Sequence, residues 1–334
     1  MKKKPMLSIC IPSYNRASFL RTALDSIFAA IDDNSKDYVE ICVSDNHSTD
    51  STKQLLKRYQ KKSPIPFHYK ILKKNFGSDE NFLSAVAMAQ GEYAWLLSSD
   101  DALTKNSLQV LLPLLTSERP DIVIGSRLDC DRSLQVRGIN YQSPDLSRPY
   151  VEYSDLAKTL HHTCRLMGYI SVTIFKKAKW DANPPTRYAR KSKYVHVYIL
   201  LKILRKGGRL LHCNAAIVKY RGENDSIVAP LGDQGRLDVT EKFTALVKSV
   251  FPEKRLQHAA LHQFIITYAY FFLRKKVRGY PWRNYFLVGK RQFSGHAAFI
   301  YCQLVNLLPR WTLRMIEQIR EAHLKRQQQR FRDS

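Results

Sequence analysis

Apolar runs of strand length alternate with helix-spaced apolar residues through the first hundred positions. The four runs cover residues 6–12, 38–44, 67–72 and 93–97. After the first run, apolar side chains recur every three or four positions over residues 17–30. Strand–helix alternation with short links is typical of a parallel sheet with right-handed crossovers. The pattern therefore predicts an α/β fold.

Polar residues follow three of these strands abruptly. The first strand leads into residues 13–16, the second ends at Asp45, and the fourth runs into Asp100 and Asp101. Ligands bind beyond the carboxyl ends of the strands in such sheets, so we expect these side chains to line one crevice. Two adjacent carboxylates there suit Mg²⁺ or Mn²⁺, with phosphate oxygens and water completing the shell. Alternatively, the two aspartates only cap the helix that begins near Thr104.

The pattern after residue 103 predicts a longer series of elements. We expect helices over residues 107–115, 153–162 and 193–205, and strands over 121–126, 168–175 and 209–218. The segment between residues 127 and 149 is polar and irregular, which predicts a loop or hairpin over the crevice.

Composition narrows the set of partners. The chain has 334 residues, and 54 Lys and Arg against 29 Asp and Glu give a net charge of +25. Such an excess favours a polyanionic partner: nucleic acid, an anionic membrane surface or a phosphorylated substrate. The six cysteines are scattered without a CxxC pair, which indicates a reducing compartment. Because no signal-peptide run or spanning apolar run occurs, we expect a cytoplasmic protein.

The usual nucleotide-binding fingerprints are missing. No GxGxxG follows the first strand, and GxxxxGK[ST] does not occur, which argues against hydride transfer and P-loop chemistry. Four other blocks occur in order: residues 11–16, 43–50, 75–77 with Asn81, and 97–101. Together they resemble the family 2 glycosyltransferases of GT-A fold. The resemblance implies a Rossmann-like mixed sheet flanked by helices, and inverting transfer of a sugar from a nucleotide-diphospho-sugar donor.

The resemblance also implies roles for particular residues. The donor-binding set is Pro12, Tyr14, Arg16, Asp45, Asn75, Asn81, Ser99, Asp100 and Arg221. Asp101 is expected to ligate Mg²⁺ or Mn²⁺, with Asp100 supporting the metal or facing the donor as a catalytic residue. The family's usual first aspartate falls on Ser99 here, so we expect modest metal affinity. For Arg221 the alternative is a surface turn.

An inverting transfer needs one base to take the proton of the acceptor hydroxyl. No acid occurs between residues 186 and 212, and His196 lies at a predicted helix start in that stretch. A Tyr-x-His element resembles that of the abequosyltransferase-like branch of O-antigen enzymes, which implies His196 as the base. A lone histidine in an apolar helix is also often a packed core residue, and Asp181 is the alternative base.

The last hundred residues differ from the rest. From residue 251 onward there are 16 Lys or Arg and 4 Asp or Glu, interleaved with aromatic residues at helical spacing. We expect a GT-A domain over residues 1–230 and a helical basic region over 231–334. That region is expected to lie on an anionic membrane surface, peripherally on the inner face of the plasma membrane. A soluble bundle with a solvated basic face is the alternative. His258 and His262 are interpreted as one helix face.

The predicted partners follow from these inferences. They are a nucleotide-diphospho-sugar donor and a saccharide or lipid-diphosphate-linked acceptor, in bacterial O-antigen or capsule biosynthesis. Nucleic acid is not expected, because no RNA-binding signature or zinc module occurs. The competing hypothesis is a catalytically inactive GT-A-like basic protein that binds nucleic acid or a membrane surface.

Overall fold

A computed structural model describes residues 4–140, 142–222 and 232–277, together with positions 312, 315 and 318. The chain divides into two compact units. The first comprises Met1–Thr159 and Leu166–Asp225, and the second comprises Leu160–Arg165 and Ser226–Ser334. The predicted domain boundary after residue 230 falls outside the described residues and stays a prediction.

The described residues form ten strands and nine α-helices, numbered in chain order. The strands are β1 (Leu7–Ser13), β2 (Val39–Asp45), β3 (Phe67–Ile71), β4 (Tyr93–Leu96), β5 (Ala102–Leu103), β6 (Ile122–Cys130), β7 (Val136–Asn140), β8 (Tyr150–Val151), β9 (Thr173–Lys176) and β10 (Leu210–Arg221). The helices are α1 (Ala17–Ala30), α2 (Thr52–Lys62), α3 (Ser78–Ala87), α4 (Ser107–Glu118), α5 (Leu156–Thr163), α6 (Lys177–Asp181), α7 (Val195–Arg205), α8 (Gly232–Val250) and α9 (Lys254–Val277).

These ten strands belong to one mixed sheet. Its order is β3-β2-β1-β4-β9-β6-β10-β5, with β7 paired to β6 and β8 paired to β10. The first four strands are parallel, as the alternating pattern predicted. Strand β9 is antiparallel to both β4 and β6, which makes the sheet mixed. The predicted mixed α/β fold is confirmed.

Strands β1, β2 and β4 lie in the interior of the sheet. Every residue of these three strands is buried, which explains why their sequences carry almost no exposed polar alternation. Trp95 on β4 is fully buried and donates from its indole Nε1 to the carbonyl of Ser171 at 2.8 Å. Burial of both faces fixes the register, so the carboxyl ends of β1 and β2 finish together at Ser13 and Asp45.

One predicted strand differs from the structure, and one predicted loop or hairpin is a hairpin. Residues 168–175 were expected to form one strand, but two 3₁₀ turns, Leu166–Gly168 and Ile170–Val172, precede the short strand β9. The segment after residue 126 was predicted to be a loop or hairpin, and there the end of β6 pairs antiparallel with β7 as a hairpin. The apolar residues near 170 pack inward from the 3₁₀ turns, and periodicity alone does not separate such a turn from a strand.

Within the second unit, α8 and α9 pack through stacked Phe243 and Phe264, whose ring centres lie 4.5 Å apart. His262 of α9 stacks on His161 at 4.4 Å, so this histidine packs within the unit. Among the described residues, no helix is long and apolar enough to cross a membrane. Most of the basic tail, including residues 278–311, lies outside the described residues, and its membrane contact stays a prediction.

Candidate active site

The turn after β1 is fastened to the turn after β2. Asn15 has a left-handed backbone, with φ of +50°, and its amide oxygen accepts the backbone N–H of Thr49 at 2.8 Å. The N–H of Asn15 in turn donates to the hydroxyl of Ser48 at 2.8 Å. Pro12 is buried beneath this turn, whereas the ring of Tyr14 is 41% exposed. The predicted donor-binding residues of β1 therefore lie beside the end of β2.

Asp45 is a fully buried carboxylate at the end of β2. Its Oδ1 accepts the backbone N–H of Ser48 at 3.2 Å and the Ser48 hydroxyl, while its Oδ2 has no hydrogen-bond partner in the described protein. Burial raises the pKa of Asp45, against the opposing effect of Ser48. Among the residues that the structure describes, none donates to the second oxygen of this buried group.

The loop before α3 is held against the same strand ends. The Asn46 amide donates to Asn75 Oδ1 at 2.8 Å, and the N–H of Phe76 donates to Asn46 Oδ1 at 3.0 Å. Asn81 donates to the carbonyl of Ser13 at 3.1 Å, and its own Oδ1 is buried without a hydrogen-bond partner in the described protein. Asn75 and Asn81 therefore reach the edge of the sheet where β1 and β2 end.

The turn after β4 brings Asp100 to the first helix. Arg16 donates from Nη1 to Asp100 Oδ2, and Ser98 donates from its hydroxyl to Asp100 Oδ1. The ion pair is mostly buried, with side-chain exposures of 15% for Arg16 and 12% for Asp100. Ser99, the residue before Asp100, is buried as well. The tips of β1, β2 and β4 therefore meet at one edge of the sheet.

Asp101 is 2% exposed, and both of its oxygens accept hydrogen bonds. Oδ2 accepts from the hydroxyls of Tyr169 and Ser171, the latter at 2.6 Å, and Oδ1 accepts the backbone N–H of Arg221 at 3.0 Å. Burial, reinforced by the charge of Asp100, raises the pKa of Asp101 to about 7, against the effect of the three donors. Its role as a direct metal ligand stays a prediction, and this geometry leaves Asp100 closer to such a role.

Arg221 joins the end of β10 to the same turn. Its Nε donates to the carbonyl of Asp100 at 2.8 Å, and its Nη1 donates to the carbonyl of Arg132. The guanidinium lies over the ring of Phe19 at 5.0 Å. The side chain is buried rather than part of a surface turn, and these donors bind backbone carbonyls.

Sequence comparison with known proteins agrees with this arrangement. The profile described as glycosyl transferase family 2 matches residues 8–177, which is about half of the chain. The chain is 34% identical over 236 residues to abequosyltransferase RfbV of Salmonella typhimurium, covering 66% of this chain and 68% of that protein. The chain belongs to glycosyltransferase family 2.

Other relatives and solved structures extend the comparison. The putative teichuronic acid biosynthesis glycosyltransferase TuaG of Bacillus subtilis is 24% identical to this family 2 glycosyltransferase, over 67% of this chain and 82% of its own. The crystal structure of S. aureus TarS 1–349 in complex with UDP-GlcNAc has a TM-score of 0.61 at 16% identity, covering 86% of this chain and 81% of TarS. The mannosyltransferase PcManGT of Pyrobaculum calidifontis, in complex with GDP-Man and Mn²⁺, has a TM-score of 0.55 at 16% identity, covering 78% and 70%. These structures share the GT-A fold with the chain.

His196 of this glycosyltransferase lies at the start of α7, but its imidazole is 1% exposed. The ring packs edge-on against Phe82 at 5.5 Å and lies 6.3 Å from the ring of Tyr194. Burial lowers the pKa of His196 to about 4, against the opposing effect of nearby backbone carbonyls. The imidazole is therefore neutral at pH 7 and enclosed by side chains, and its role as base stays a prediction. Asp181, the alternative, is exposed and paired with Lys177.

Asp79 holds the start of α7 in the transferase, a role that sequence reasoning missed. Although Asp79 belongs to α3, its two oxygens accept the backbone N–H groups of Lys193 at 2.7 Å and Val195 at 3.1 Å. Asp79 thereby satisfies free donors at the N-terminus of a helix more than a hundred residues away. Burial raises its pKa, against the effect of these two N–H donors. The sequence places Asp79 at its own helix start, and nothing local indicates the distant partner.

No group of three or more His, Cys, Asp or Glu side chains within the described ranges has a geometry that would hold a metal ion. Asp100, in the turn after β4, is bonded to the side chains of Arg16 and Ser98, both of which can change rotamer. A hard divalent cation bound through one carboxylate completes its shell with water and phosphate oxygens. The Asp100 carboxylate therefore fits Mg²⁺ or Mn²⁺ when Arg16 and Ser98 turn away and water and phosphate oxygens complete the shell of the ion.

Proposed function

We propose that this family 2 glycosyltransferase transfers a sugar, with inversion, from a nucleotide-diphospho-sugar to a saccharide acceptor in bacterial surface-polysaccharide assembly. Relatives named for abequose transfer and teichuronic acid biosynthesis support the polysaccharide context. The solved neighbours with UDP-GlcNAc and GDP-Man support the donor class. The observation that carries the proposal is the meeting of three strand tips, where the buried Asp45 lies beside Ser13 in register and Asp100 is paired with Arg16.

The nucleoside of the donor is proposed to lie over the ends of β1 and β2. Asp45 Oδ2 and Asn81 Oδ1 are buried acceptors without a donor in the described protein, and a buried polar atom left unpaired is costly. An N–H or hydroxyl group of the nucleoside would satisfy them. Tyr14 follows the end of β1 and Phe76 follows Asn75, and the half-exposed rings of both offer faces on which a base can stack.

The diphosphate is proposed to lie between Arg16 and Asp100. Asp100 would hold Mg²⁺ or Mn²⁺ together with the diphosphate oxygens, and the cation would offset charge that gathers on the departing nucleotide. Arg16 would turn from the Asp100 carboxylate toward the diphosphate, because a guanidinium matches the geometry of phosphate oxygens. Ser99 is proposed to bond the ribose or a metal-bound water. Arg221 would act at the diphosphate through the turn that its guanidinium fastens.

The acceptor is proposed to be a saccharide linked to a lipid diphosphate, because the basic tail suits an anionic lipid surface. The base that takes the acceptor proton is proposed to be His196, or Asp181 in its place. Burial lowers the pKa of His196 to about 4, so the enclosed imidazole is a weak base as it stands. For His196 the role requires the side chains around the start of α7 to move, since the ring is enclosed.

A donor screen tests the proposed function. Purified protein is incubated with UDP-, GDP-, CDP- and dTDP-sugars and Mn²⁺, and nucleotide release is measured with and without saccharide acceptors. We expect one nucleotide class to be turned over, with a product of inverted anomeric configuration by NMR. Turnover that leaves the configuration unchanged contradicts the inverting mechanism, and absence of binding to every nucleotide contradicts the donor site.

Vesicles containing phosphatidylglycerol test the proposed role of the basic tail. The full chain should sediment with these vesicles at low salt and be released at high salt, because ions screen the attraction between Lys or Arg and lipid phosphates. Neutral phosphatidylcholine vesicles are the control. Equal sedimentation with both kinds of vesicle contradicts an anionic-surface role for the tail.

A further inference from the structure

Ser171 closes the turn after β4 from both ends. Its hydroxyl accepts the backbone N–H of Ser98 at 3.0 Å and donates to Asp101 Oδ2 at 2.6 Å. The same turn contains the bond from the Ser98 hydroxyl to Asp100. One serine from the 3₁₀ turn before β9 thus bonds Ser98 near the start of the turn and Asp101 at its end, on either side of Asp100.

The hydroxyl of Tyr169 donates to the same Asp101 oxygen, and the ring of Tyr169 packs against Arg127. The guanidinium of Arg127 lies 4.6 Å from the ring centre of Tyr169 and 4.1 Å from that of Tyr220. The two aromatic rings meet edge to face at 5.3 Å. Arg127 is oriented by Asp129, whose Oδ1 accepts from its Nε at 2.7 Å. Cation–π contacts of a partly buried guanidinium are favourable, so β6 holds the tyrosine that holds Asp101.

Asp101 also bonds the end of β10. Its Oδ1 accepts the N–H of Arg221, and the Arg221 guanidinium returns to the carbonyl of Asp100 at 2.8 Å. The 3₁₀ turn, the β4–β5 turn and the end of β10 are therefore joined by a closed network of hydrogen bonds, the positioning network, whose members are Ser98, Asp100, Asp101, Tyr169, Ser171 and Arg221. A carboxylate whose two oxygens already serve three internal donors is suited to hold its neighbours in place.

We propose that Asp101 is a positioning residue, fixed by Tyr169 and Ser171 with Arg127 behind them, and that it aims Asp100 at the donor. The positioning network stands on the hydrogen bonds alone. The part that concerns the donor and its cation rests on the proposed function. Loss of the Tyr169 or Ser171 hydroxyl is then expected to loosen the end of β10 while leaving the Asp100 carboxylate present.

Hydrogen exchange at the Arg221 amide tests the positioning network without any ligand. Tyr169→Phe and Ser171→Ala should each speed exchange of this amide about three- to tenfold, because each removes one donor that orients its acceptor. Asp101→Ala should speed it about tenfold or more, since the acceptor itself is lost. Tyr153→Phe is the matched control: it removes a hydroxyl that bonds His212 Nδ1 at 2.9 Å, outside the positioning network.

The control should leave exchange at Arg221 unchanged. If Tyr169→Phe, Ser171→Ala and Asp101→Ala also leave it unchanged, the positioning network is refuted. Because Tyr169→Phe keeps the aromatic ring on which Arg127 packs, it is expected to fold even where Asp101→Ala does not.

Binding of Mn²⁺ alone, measured from the free-ion EPR signal, separates the two aspartates. We expect Asp100→Asn to lose Mn²⁺ binding and keep wild-type exchange at Arg221. Asp101→Asn should bind Mn²⁺ more weakly than the wild type without abolishing binding, because Asp100 keeps its carboxylate and loses its fixed direction, while exchange at Arg221 becomes faster. The reverse pattern makes Asp101 the ligand and overturns the proposal. A wild-type protein that binds no Mn²⁺ contradicts the proposed metal, and the exchange result then decides the positioning network by itself.

Discussion

Asp45 and Asp101 are both buried carboxylates at the carboxyl end of the sheet, yet their surroundings differ. Asp45 has one oxygen bonded to Ser48 and one oxygen without a donor in the described protein. Asp101 has both oxygens bonded, to donors from two other segments. An unpaired buried oxygen is costly unless a ligand satisfies it, whereas a fully bonded carboxylate stabilises the fold around it. Position at a strand end is shared by both residues, and it is their hydrogen-bond partners on which we base the proposal that Asp45 binds the donor and Asp101 positions its neighbour.

The largest effect on turnover is expected at Asp100, whose two oxygens accept from the side chains of Arg16 and Ser98. Asp100→Asn removes the charge that would hold the cation, and transferase turnover should fall about a hundred- to a thousandfold. The amide keeps the shape of the side chain but leaves the mostly buried Arg16 without its ion-pair partner, so the thermal midpoint should fall, and turnover is measured well below it. The measurement is kcat/KM for nucleotide release, with Asp33→Asn, an exposed aspartate paired with Lys36, as the control. Turnover at the wild-type level would contradict the assignment of Asp100.

Asp101 is expected to affect stability most strongly. Asp101→Ala leaves the donors of Tyr169, Ser171 and Arg221 without their acceptor inside the protein. The free energy of unfolding should fall by about 3 kcal/mol, since an unsatisfied buried donor costs about 1–3 kcal/mol. Urea unfolding measures the change. A loss below about 0.5 kcal/mol, the usual range for a surface substitution, would mean that the hydrogen bonds of Asp101 do not stabilise the fold, and the contrast with Asp45 would fail.

His196 extends the comparison to a buried base. Burial lowers its pKa to about 4 in the folded protein, while the unfolded value is the ordinary 6.5. The unfolded chain therefore binds the proton first, and stability is lost as the pH falls from 6.5 toward 4. The loss approaches about 3 kcal/mol at the lower end of this window.

His196→Phe should remove that part of the acid sensitivity, because phenylalanine does not titrate. The difference in unfolding free energy between wild type and variant is measured in urea from neutral pH down to the folded-state pKa of about 4. Turnover of the same variant at neutral pH tests the predicted base. A large fall in kcat with unchanged donor affinity supports that role, and unchanged kcat returns His196 to the packed core.

Strand tips were easier to predict from the sequence than the hydrogen bonds that the tips make. The tips of β1, β2 and β4 follow from apolar runs that switch to polar residues, and a parallel sheet brings such ends together. Two of the three donors to Asp101 come from Tyr169 and Ser171, which lie in a distant segment predicted as strand and folded partly as 3₁₀ turn. Which carboxylate is bonded and which is left open depends on those distant side chains, which the motif around Asp101 does not contain.

The smallest effect is expected at Asp45, where the open oxygen can be tested by itself. In the wild type, the Asp45 carboxylate offers one oxygen to Ser48 and the other to the nucleoside. Asp45→Asn removes the charge and leaves a single carbonyl oxygen, which can accept from only one of these two partners. Nucleotide affinity should fall about tenfold, the loss expected for one hydrogen bond to a charged group. Stability should stay level or rise, because burial raises the pKa of Asp45 and the amide carries no charge to bury.

Asp50→Asn is the control, since both Asp50 oxygens already accept backbone N–H groups, from Thr52 and Ala17. If Asp50→Asn weakens nucleotide binding as much as Asp45→Asn, the open oxygen is not what binds the nucleoside.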